Sequence, residues 1–301
     1  MVADIIMTED LGDGVIKVVL NNPPLNLVTL ALSERLIEVT EDLERDEVRA
    51  VVLTGTGGTF CAGADIKEFA SVTDRVVEKK LARENEAFGG IELLSKPTIA
   101  AIGGAALGGG CEIALACDLR VIAEDARIGL PEVKLGVVPG SGGLYRLPRL
   151  IGPARSMELM YLGEPVGADE GERIGLVNTV APAGEALARA VGLTREIVSR
   201  PREAVATIKR GVRQSPALSQ EEAVRLTLEL SDHVFSPEDA EEGYRAFPGE
   251  TGAALRSGAQ RRRRERVGPC SKGSRYSASR TICRDHRRPR SSLTSGRTSS
   301  R

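Results

Sequence analysis

Tryptophan is absent from this chain, histidine occurs only twice, and aromatic residues make up 3% of it. The two histidines, His233 and His286, lie late in the sequence, which makes a Ser-His-Asp triad or a histidine-ligated zinc site a poor fit before any motif is considered. The five cysteines form no C-x-x-C pair, and Cys61, Cys111 and Cys117 sit among small or apolar neighbours, so buried reduced thiols are expected rather than a disulfide framework. No apolar run is long enough to span a bilayer, and the opening MVADIIMTEDLGDG carries acids where a signal or transit peptide would carry bases. A cytoplasmic chain without a membrane partner is expected. The phosphate-binding glycine signatures G-x-G-x-x-G and G-x-x-x-x-G-K-[ST] are missing, and PGSGG at 139–143 is not the G-x-S-x-G elbow. Dehydrogenase, P-loop nucleotidase and serine hydrolase are thereby set aside.

What is present is a 301-residue chain with 41% hydrophobic residues, enough for a sizeable core. Its net charge of -1 hides a division: residues 1–247 carry a net -13, and residues 248–301 a net +12. The first third alternates strand-like and helix-like runs. GVIKVVL (14–20) and RAVVLTG (49–55) flank a helical TLALSERLIEVTEDLERDE from residue 29, the pattern of β-α-β units. A glycine-rich turn follows, then a helical stretch over 73–94, a buried strand in KPTIAAIGG, and short strands in LRVIAE (119–124) and ARIGL (126–130). From about residue 153 the pattern is mainly helical. Pro153 and Pro201 suit first-turn positions, Ser219 to Glu222 forms a capping box, and Ser236 caps one more expected helix. No repeat of fixed period is visible. An α/β core over 1–190, a helical section over 191–247 and a basic tail over 248–301 are expected. The tail is rich in Arg, Ser, Gly and Pro and buries too little to offset its ordering entropy.

One stretch resists a purely structural account. ALGGGCEIALA (106–116) places three glycines and a carboxylate in an otherwise apolar helix. Each glycine costs a helix about 1 kcal/mol relative to alanine, and a carboxylate on an apolar face costs more unless it is paired. Glycine lets a ligand approach backbone amides closely, and the first amides of a helix have no partner inside it. A second turn, FCAGAD (60–65), also precedes a helix. Two amides aimed at one point would form an oxyanion hole, stabilising developing charge by a few kcal/mol, on the order of 3. Taken singly, each turn reads rather as a tight strand-to-helix connection, Glu112 as a solvated helix-start acid and Glu132 as a loop or cap acid. Together, two carboxylates beside two oxyanion donors would suit proton removal and delivery next to a carbonyl.

The segments GTFCAGADIKEF, KPTIAAIGGAALGGGCEIALACDLRVIAEDARIGLPEVKLGVVPGSGGLYRLPRLIG and LGEPVGADEGERIGLVNTV resemble the enoyl-CoA hydratase/isomerase, or crotonase, family over about residues 4–247. The resemblance implies an α/β spiral of ββα units with C-terminal helices that mediate homotrimers or hexamers, and an acyl-CoA substrate with no metal or redox cofactor. By motif it implies that Ala64 and Gly109 hold the thioester carbonyl. Glu112 would activate water, Glu132 would protonate C2, and the Gly140 amide would orient the water. Leu25, Ala62, Asp65 and Ile66 would line the CoA pocket. The implied reaction is hydration of a 2-trans-enoyl-CoA, with Δ3-Δ2 enoyl-CoA isomerisation as the alternative that needs one base. Leu144 and Tyr145 stand where relatives often carry Thr-Gln, and Pro248 begins unrelated sequence where relatives continue into a lysine-rich helix end. We read that tail as the product of a frame shift. Nucleic-acid binding through RRRRER (261–266) is the reading from a different class; it is disfavoured because Tyr276 is the tail's one aromatic and offers no stacking platform.

Overall fold

The computed structural model describes residues 4–72 and 75–235. These fall within one compact unit, 1–242; a second unit spans 243–301. The expected Ser236-capped helix and the 248–301 tail lie outside the described residues.

Six strands form the main sheet in the order β1-β2-β3-β4-β6-β9. They are β1 (Ile6–Asp10), β2 (Val15–Leu20), β3 (Ala50–Gly55), β4 (Thr98–Ile102), β6 (Leu119–Ala123) and β9 (Thr179–Ala181). Only the β1–β2 pair is antiparallel; Val51 pairs with Thr98, Ile99 with Leu119 and Val121 with Thr179 in parallel register. Parallel strands are covered on both faces, which explains why AVVL and TIAAI read as continuous apolar runs and are buried throughout. A second, three-stranded sheet runs β5-β7-β8, from β5 (Ala105–Leu107), β7 (Arg127–Gly129) and β8 (Val166–Gly167). Cys61 extends this layer through a parallel bridge to Ala106.

The helices are α1 (Leu30–Asp42), α2 (Ile66–Ser71), α3 (Ala82–Leu93), α4 (Gly109–Ala116), α5 (Gly143–Ile151), α6 (Pro153–Leu162), α7 (Ala168–Arg173), α8 (Ala186–Val198), α9 (Arg202–Gln214) and α10 (Gln220–Val234). Thr29 caps α1 by accepting from the Leu32 amide, and Ser219 and Glu222 close the expected capping box on α10. Pro153 opens α6 as expected, whereas Pro201 is the N-cap of α9 rather than its first residue. The expected boundary at 190/191 falls inside α8, which packs on β3, β4 and β6, so this part of the helical section completes the core.

A unit of main-sheet strand, second-layer strand and helix occurs three times: β3, Cys61, α2; β4, β5, α4; β6, β7, α5. The lengths between successive units differ, which is why the repeat shows no fixed period in the sequence. The second-layer segments run parallel, so their C-terminal ends share one edge of that layer.

Candidate active site

Three of the expected site residues follow those C-terminal ends closely. Ala64 comes three residues after Cys61, Gly109 two after β5, and Glu132 three after β7. Parallel pairing therefore brings together residues far apart in sequence. The bond lengths of the layer are ordinary: the Cys61 amide donates to Ala105 O at 2.9 Å, and the Leu107 amide to Cys61 O at 3.0 Å. On the other side, Val28 pairs with Ala64 in parallel, its amide donating to Gly63 O (2.9 Å) and its carbonyl accepting from the Asp65 amide (3.0 Å). In such a bridge the N–H and C=O of the middle residue point away from the partner strand. The Ala64 amide thus faces away from Val28. A Cβ built on Gly109 would stand 3.6 Å from the Ala64 nitrogen, so the two expected donors are neighbours.

The three consecutive glycines answer three different demands. Gly108 caps α4 with φ +52°, a conformation that side chains rarely adopt. Gly109 lies against Ala64. Gly110 has no space: a Cβ there would lie 2.1 Å from Cys61 O, so α4 packs directly on the neighbouring backbone. The first intrahelical bond of α4 runs from the Glu112 amide to Gly108 O at 2.9 Å, leaving the amides of residues 109–111 without a partner in the helix.

Glu112 is 3% exposed, not the solvated helix-start acid that its position alone allows. Its Oε1 accepts from the backbone amides of Ser141 and Gly143, each at 2.8 Å. Both bonds fall on Oε1, so Oε2 is the oxygen left for a water. Glu132 sits on a 3-10 turn, Glu132–Leu135, with both carboxylate oxygens buried and without a hydrogen-bond partner among the described residues. Its Oε1 lies 3.4 Å from where a Gly108 Cβ would be, at the mouth of α4. Burial pushes both carboxyls up, Glu112 to about 8 and Glu132 to about 7, and the charge of Glu132 adds to the rise at Glu112 while its two amides oppose it. Near neutral pH the pair thus retains a proton.

Gly140 leads the loop that meets Glu112, and its carbonyl accepts from Asn85 Nδ2 at 2.8 Å. The amides bonded to Glu112 are those of Ser141 and Gly143, which sequence reasoning missed because a backbone donor leaves no side-chain signal. Of the expected CoA-pocket residues, Leu25 and Ala62 are joined by a 3.0 Å bond from the Ala62 amide to the Leu25 carbonyl; Leu25 is exposed. Asp65 caps α2 by accepting from the Lys67 amide at 2.9 Å, and Ile66 beside it is exposed. Ala62, Asp65 and Ile66 border Ala64 along the chain, and with Leu25 bonded to Ala62 they form one strip beside it. Asn26, also missed, is fully buried with φ +52° and donates from Nδ2 to the carbonyls of Thr56 (2.9 Å) and Thr59 (2.7 Å), fixing this strip to the turn after β3. Leu144 and Tyr145 are exposed, and Tyr145 lies under the guanidinium groups of Arg146 and Arg149 at 4.7 and 5.2 Å. Cys61, Cys111 and Cys117 are buried free thiols, as expected. Among the described residues no cluster of His, Cys, Asp and Glu could hold a metal, and no helix is long and apolar enough to cross a membrane. A groove of about 580 Å³ lies elsewhere, between α9 and the body, and neither Glu112 nor Glu132 lines it.

Residues 10–254 match the family model described as enoyl-CoA hydratase/isomerase. A probable enoyl-CoA hydratase of Bacillus subtilis is 38% identical over 231 residues, 76% of this chain and 90% of that one. A short-chain-enoyl-CoA hydratase of Clostridium acetobutylicum is 39% identical over 239 residues, 78% and 92% of the two chains. Among solved structures, an enoyl-CoA hydratase from Bacillus anthracis superposes with a TM-score of 0.78 at 35% identity, covering 83% of this chain and all of the other. On the fold, the matched residues and these relatives together, the chain belongs to the enoyl-CoA hydratase/isomerase family.

Proposed function

We propose that this chain is an enoyl-CoA hydratase, a hydro-lyase that adds water across the 2,3 double bond of a 2-trans-enoyl-CoA to give a 3-hydroxyacyl-CoA. The observation that carries the proposal is the geometry: Glu112, buried and held through Oε1 by the Ser141 and Gly143 amides, and Glu132, its oxygens buried without partners among the described residues at the mouth of α4, stand beside helix-start amides that have no partner inside the helix. The thioester carbonyl oxygen accepts from the Ala64 and Gly109 amides, which stabilise the enolate that forms as C3 is attacked. Glu112, through Oε2, takes a proton from the attacking water, whose oxygen bonds to C3. Glu132 gives its proton to C2, and the enolate electrons return to close the new C–H bond. The net change is one water added, and the proton gained by Glu112 returns to Glu132 through solvent. The base role falls to Glu112 because its Oε2 is left free for a water, and the acid role to Glu132 because its oxygens are buried without other partners among the described residues. Gly140 belongs to the proposal as the head of the loop that sets the Glu112 water. Leu25, Ala62, Asp65 and Ile66 carry the CoA, which is the handle of the substrate; no cofactor takes part.

The test is loss of the conjugated enoyl-thioester absorbance when crotonyl-CoA is added. Hydration removes that absorbance; a chain that only isomerises 3-enoyl-CoA leaves it unchanged, and that outcome would replace this reading. The proposal includes a cytoplasmic homotrimer or pair of trimers. The exposed Val133, Leu135, Val137 and Val138, together with Tyr161 and Leu162, support a self-associating face. Size-exclusion chromatography with light scattering at a single monomer mass would remove the assembly from the proposal.

A further inference from the structure

Lys80 is fully buried, on a π-helical turn (Val77–Leu81) that leads into α3. π-turns interrupt a helix at a cost and occur often at functional sites. Its ammonium pairs with Glu68 Oε2 at 2.9 Å and Glu84 Oε1 at 3.1 Å, donates to the Val28 carbonyl at 3.2 Å, and lies 5.3 Å from the centre of the Phe69 ring. Two of its donors are hydrogen-bonded, to the Val28 carbonyl and Glu68 Oε2, and Glu84 Oε1 lies at ion-pair distance without accepting a hydrogen bond. Taking an ammonium and its carboxylates out of water is expensive, and a buried ion pair is commonly no more stable than an apolar replacement of the same volume. Stability alone therefore does not account for it.

Each of these partners leads elsewhere in the site. The Val28 carbonyl also receives the Asp65 amide, the bond that closes the bridge fixing Ala64. Glu84 is 2% exposed, and its Oε2 accepts from the Ser141 hydroxyl, while the Ser141 amide holds Glu112 Oε1. Glu68 Oε2 also receives the Leu30 amide at the start of α1, at 2.9 Å. One cation is thus two contacts from the Ala64 segment on one side and three from the Glu112 carboxylate on the other.

We propose that Lys80 is a positioning residue that couples the two halves of the site, holding the Ala64 amide through Val28 and the Glu112 carboxylate through Glu84 and Ser141. The inference rests on the hydratase reading of that site. Lys80 touches no reacting atom. It fixes the distance between the oxyanion donors and the base, and its charge offsets the Glu84 carboxylate that faces Glu112. The other titratable or charged groups facing Glu112 are Glu132 from the turn after β7, Cys111 beside it on α4, and Tyr145 on α5, while Arg146 on α5 donates to the carbonyl of Ser141. Without Lys80, Glu84 would act on Glu112 as an unbalanced like charge and raise its proton affinity.

The experiment uses the full chain and the variants K80M, K80R, E84Q and K80M/E84Q, with crotonyl-CoA. In K80M, kcat is expected to fall 10-fold or more with KM changed less than 3-fold, and the pH at which activity rises to move upward by about one unit. K80R should recover part of kcat, and K80M/E84Q should return the pH profile toward that of the starting protein, because cation and anion are removed together. K80M with an unaltered kcat and pH profile overturns the proposal. So does a loss of kcat with no pH shift, because packing alone would then explain it. Should K80M fail to fold, E84Q alone decides: it should move the pH profile downward, and no movement overturns the coupling. Absence of hydration in the unsubstituted protein would defeat the hydratase reading itself. The coupling is then read by ¹³C-carboxyl titration of Glu112, whose midpoint rises in K80M or the proposal fails.

Discussion

Replacing Glu112 with glutamine changes almost no volume, yet it should move activity and stability in opposite directions. Burial holds the folded carboxyl at about 8, against an ordinary value of 4.5. A carboxyl whose folded value lies above its unfolded one favours the folded chain only while protonated. Its contribution is therefore intact below about pH 4.5 and is lost as pH rises to about 8. At about 1.4 kcal/mol for each unit between the two values, the loss is on the order of 3–5 kcal/mol. The glutamine cannot ionise, so E112Q escapes this loss. Urea unfolding at pH 5 and pH 8, at fixed protein concentration so that assembly does not shift the midpoint, should show the stability difference between E112Q and the unsubstituted chain growing in favour of E112Q. Meanwhile E112Q should hydrate crotonyl-CoA about 10²–10⁴ times more slowly, the usual worth of a positioned base, equivalent to roughly 3–5 kcal/mol of barrier. Parallel pH–stability curves would refute the burial argument. Turnover within a few-fold of normal would remove Glu112 from the mechanism.

E132Q should lower hydration by a similar factor of about 10²–10⁴ in the same absorbance assay, because both Glu132 oxygens are buried without partners and have no structural bond to lose. Its melting temperature should hold or rise. Gly109 and Gly110 should separate under substitution by alanine. G110A forces a methyl to within 2.1 Å of the Cys61 carbonyl and should lower the melting temperature markedly, by about 3 kcal/mol or more in unfolding free energy. G109A meets only ordinary or slightly tight contacts and should fold, but its methyl crowds the space before the Ala64 amide and should cost about 10²–10³ in kcat. Equal stability for the two would contradict the close packing of α4 on the Cys61 segment. N26A removes the donors to the Thr56 and Thr59 carbonyls and places alanine at φ +52°; about 2–4 kcal/mol of stability should be lost by denaturant titration.

The parts of this molecule that were legible in the sequence are those whose cause is local. Continuous apolar runs marked β3 and β4 because strands covered on both faces need them, and Pro153 and Ser219 marked helix starts because first-turn and cap positions are chosen by their own side chains. The Gly108–Glu112 segment was legible as an anomaly: glycine and a carboxylate are costly in a buried helix, so something other than helix stability selected them. The strand β1 was missed because IMTED buries only Ile6 and is held by its hydrogen bonds to β2 rather than by its side chains. The change from mixed to helical pattern near 190/191 says nothing about where a helix docks, and α8, which spans that point, docks on the sheet.

The site's support was illegible for a more specific reason. VEKKLARENEAF reads as a solvated amphipathic helix with alternating charges, on which no lysine or glutamate is expected to be fully enclosed. The π-turn at Val77–Leu81 adds a residue to one helical turn and so advances the phase of what precedes it by about 100° relative to a regular helix. That displacement, invisible in a 3.6-residue pattern, sits where Lys80 is enclosed on the side facing Val28 and Glu84, one regular turn before Glu84 at 2% exposure. Removing one residue from this turn should restore regular helical phase and rotate what precedes it, moving Glu68 and its segment relative to Lys80 while leaving the Lys80–Glu84 pair in its i,i+4 register. Deletion of Val77 should therefore lower kcat without the upward pH shift expected of K80M, while leaving the far-ultraviolet circular dichroism near that of the full chain. A deletion variant with normal kcat would show that the π-turn does not set the position of Lys80.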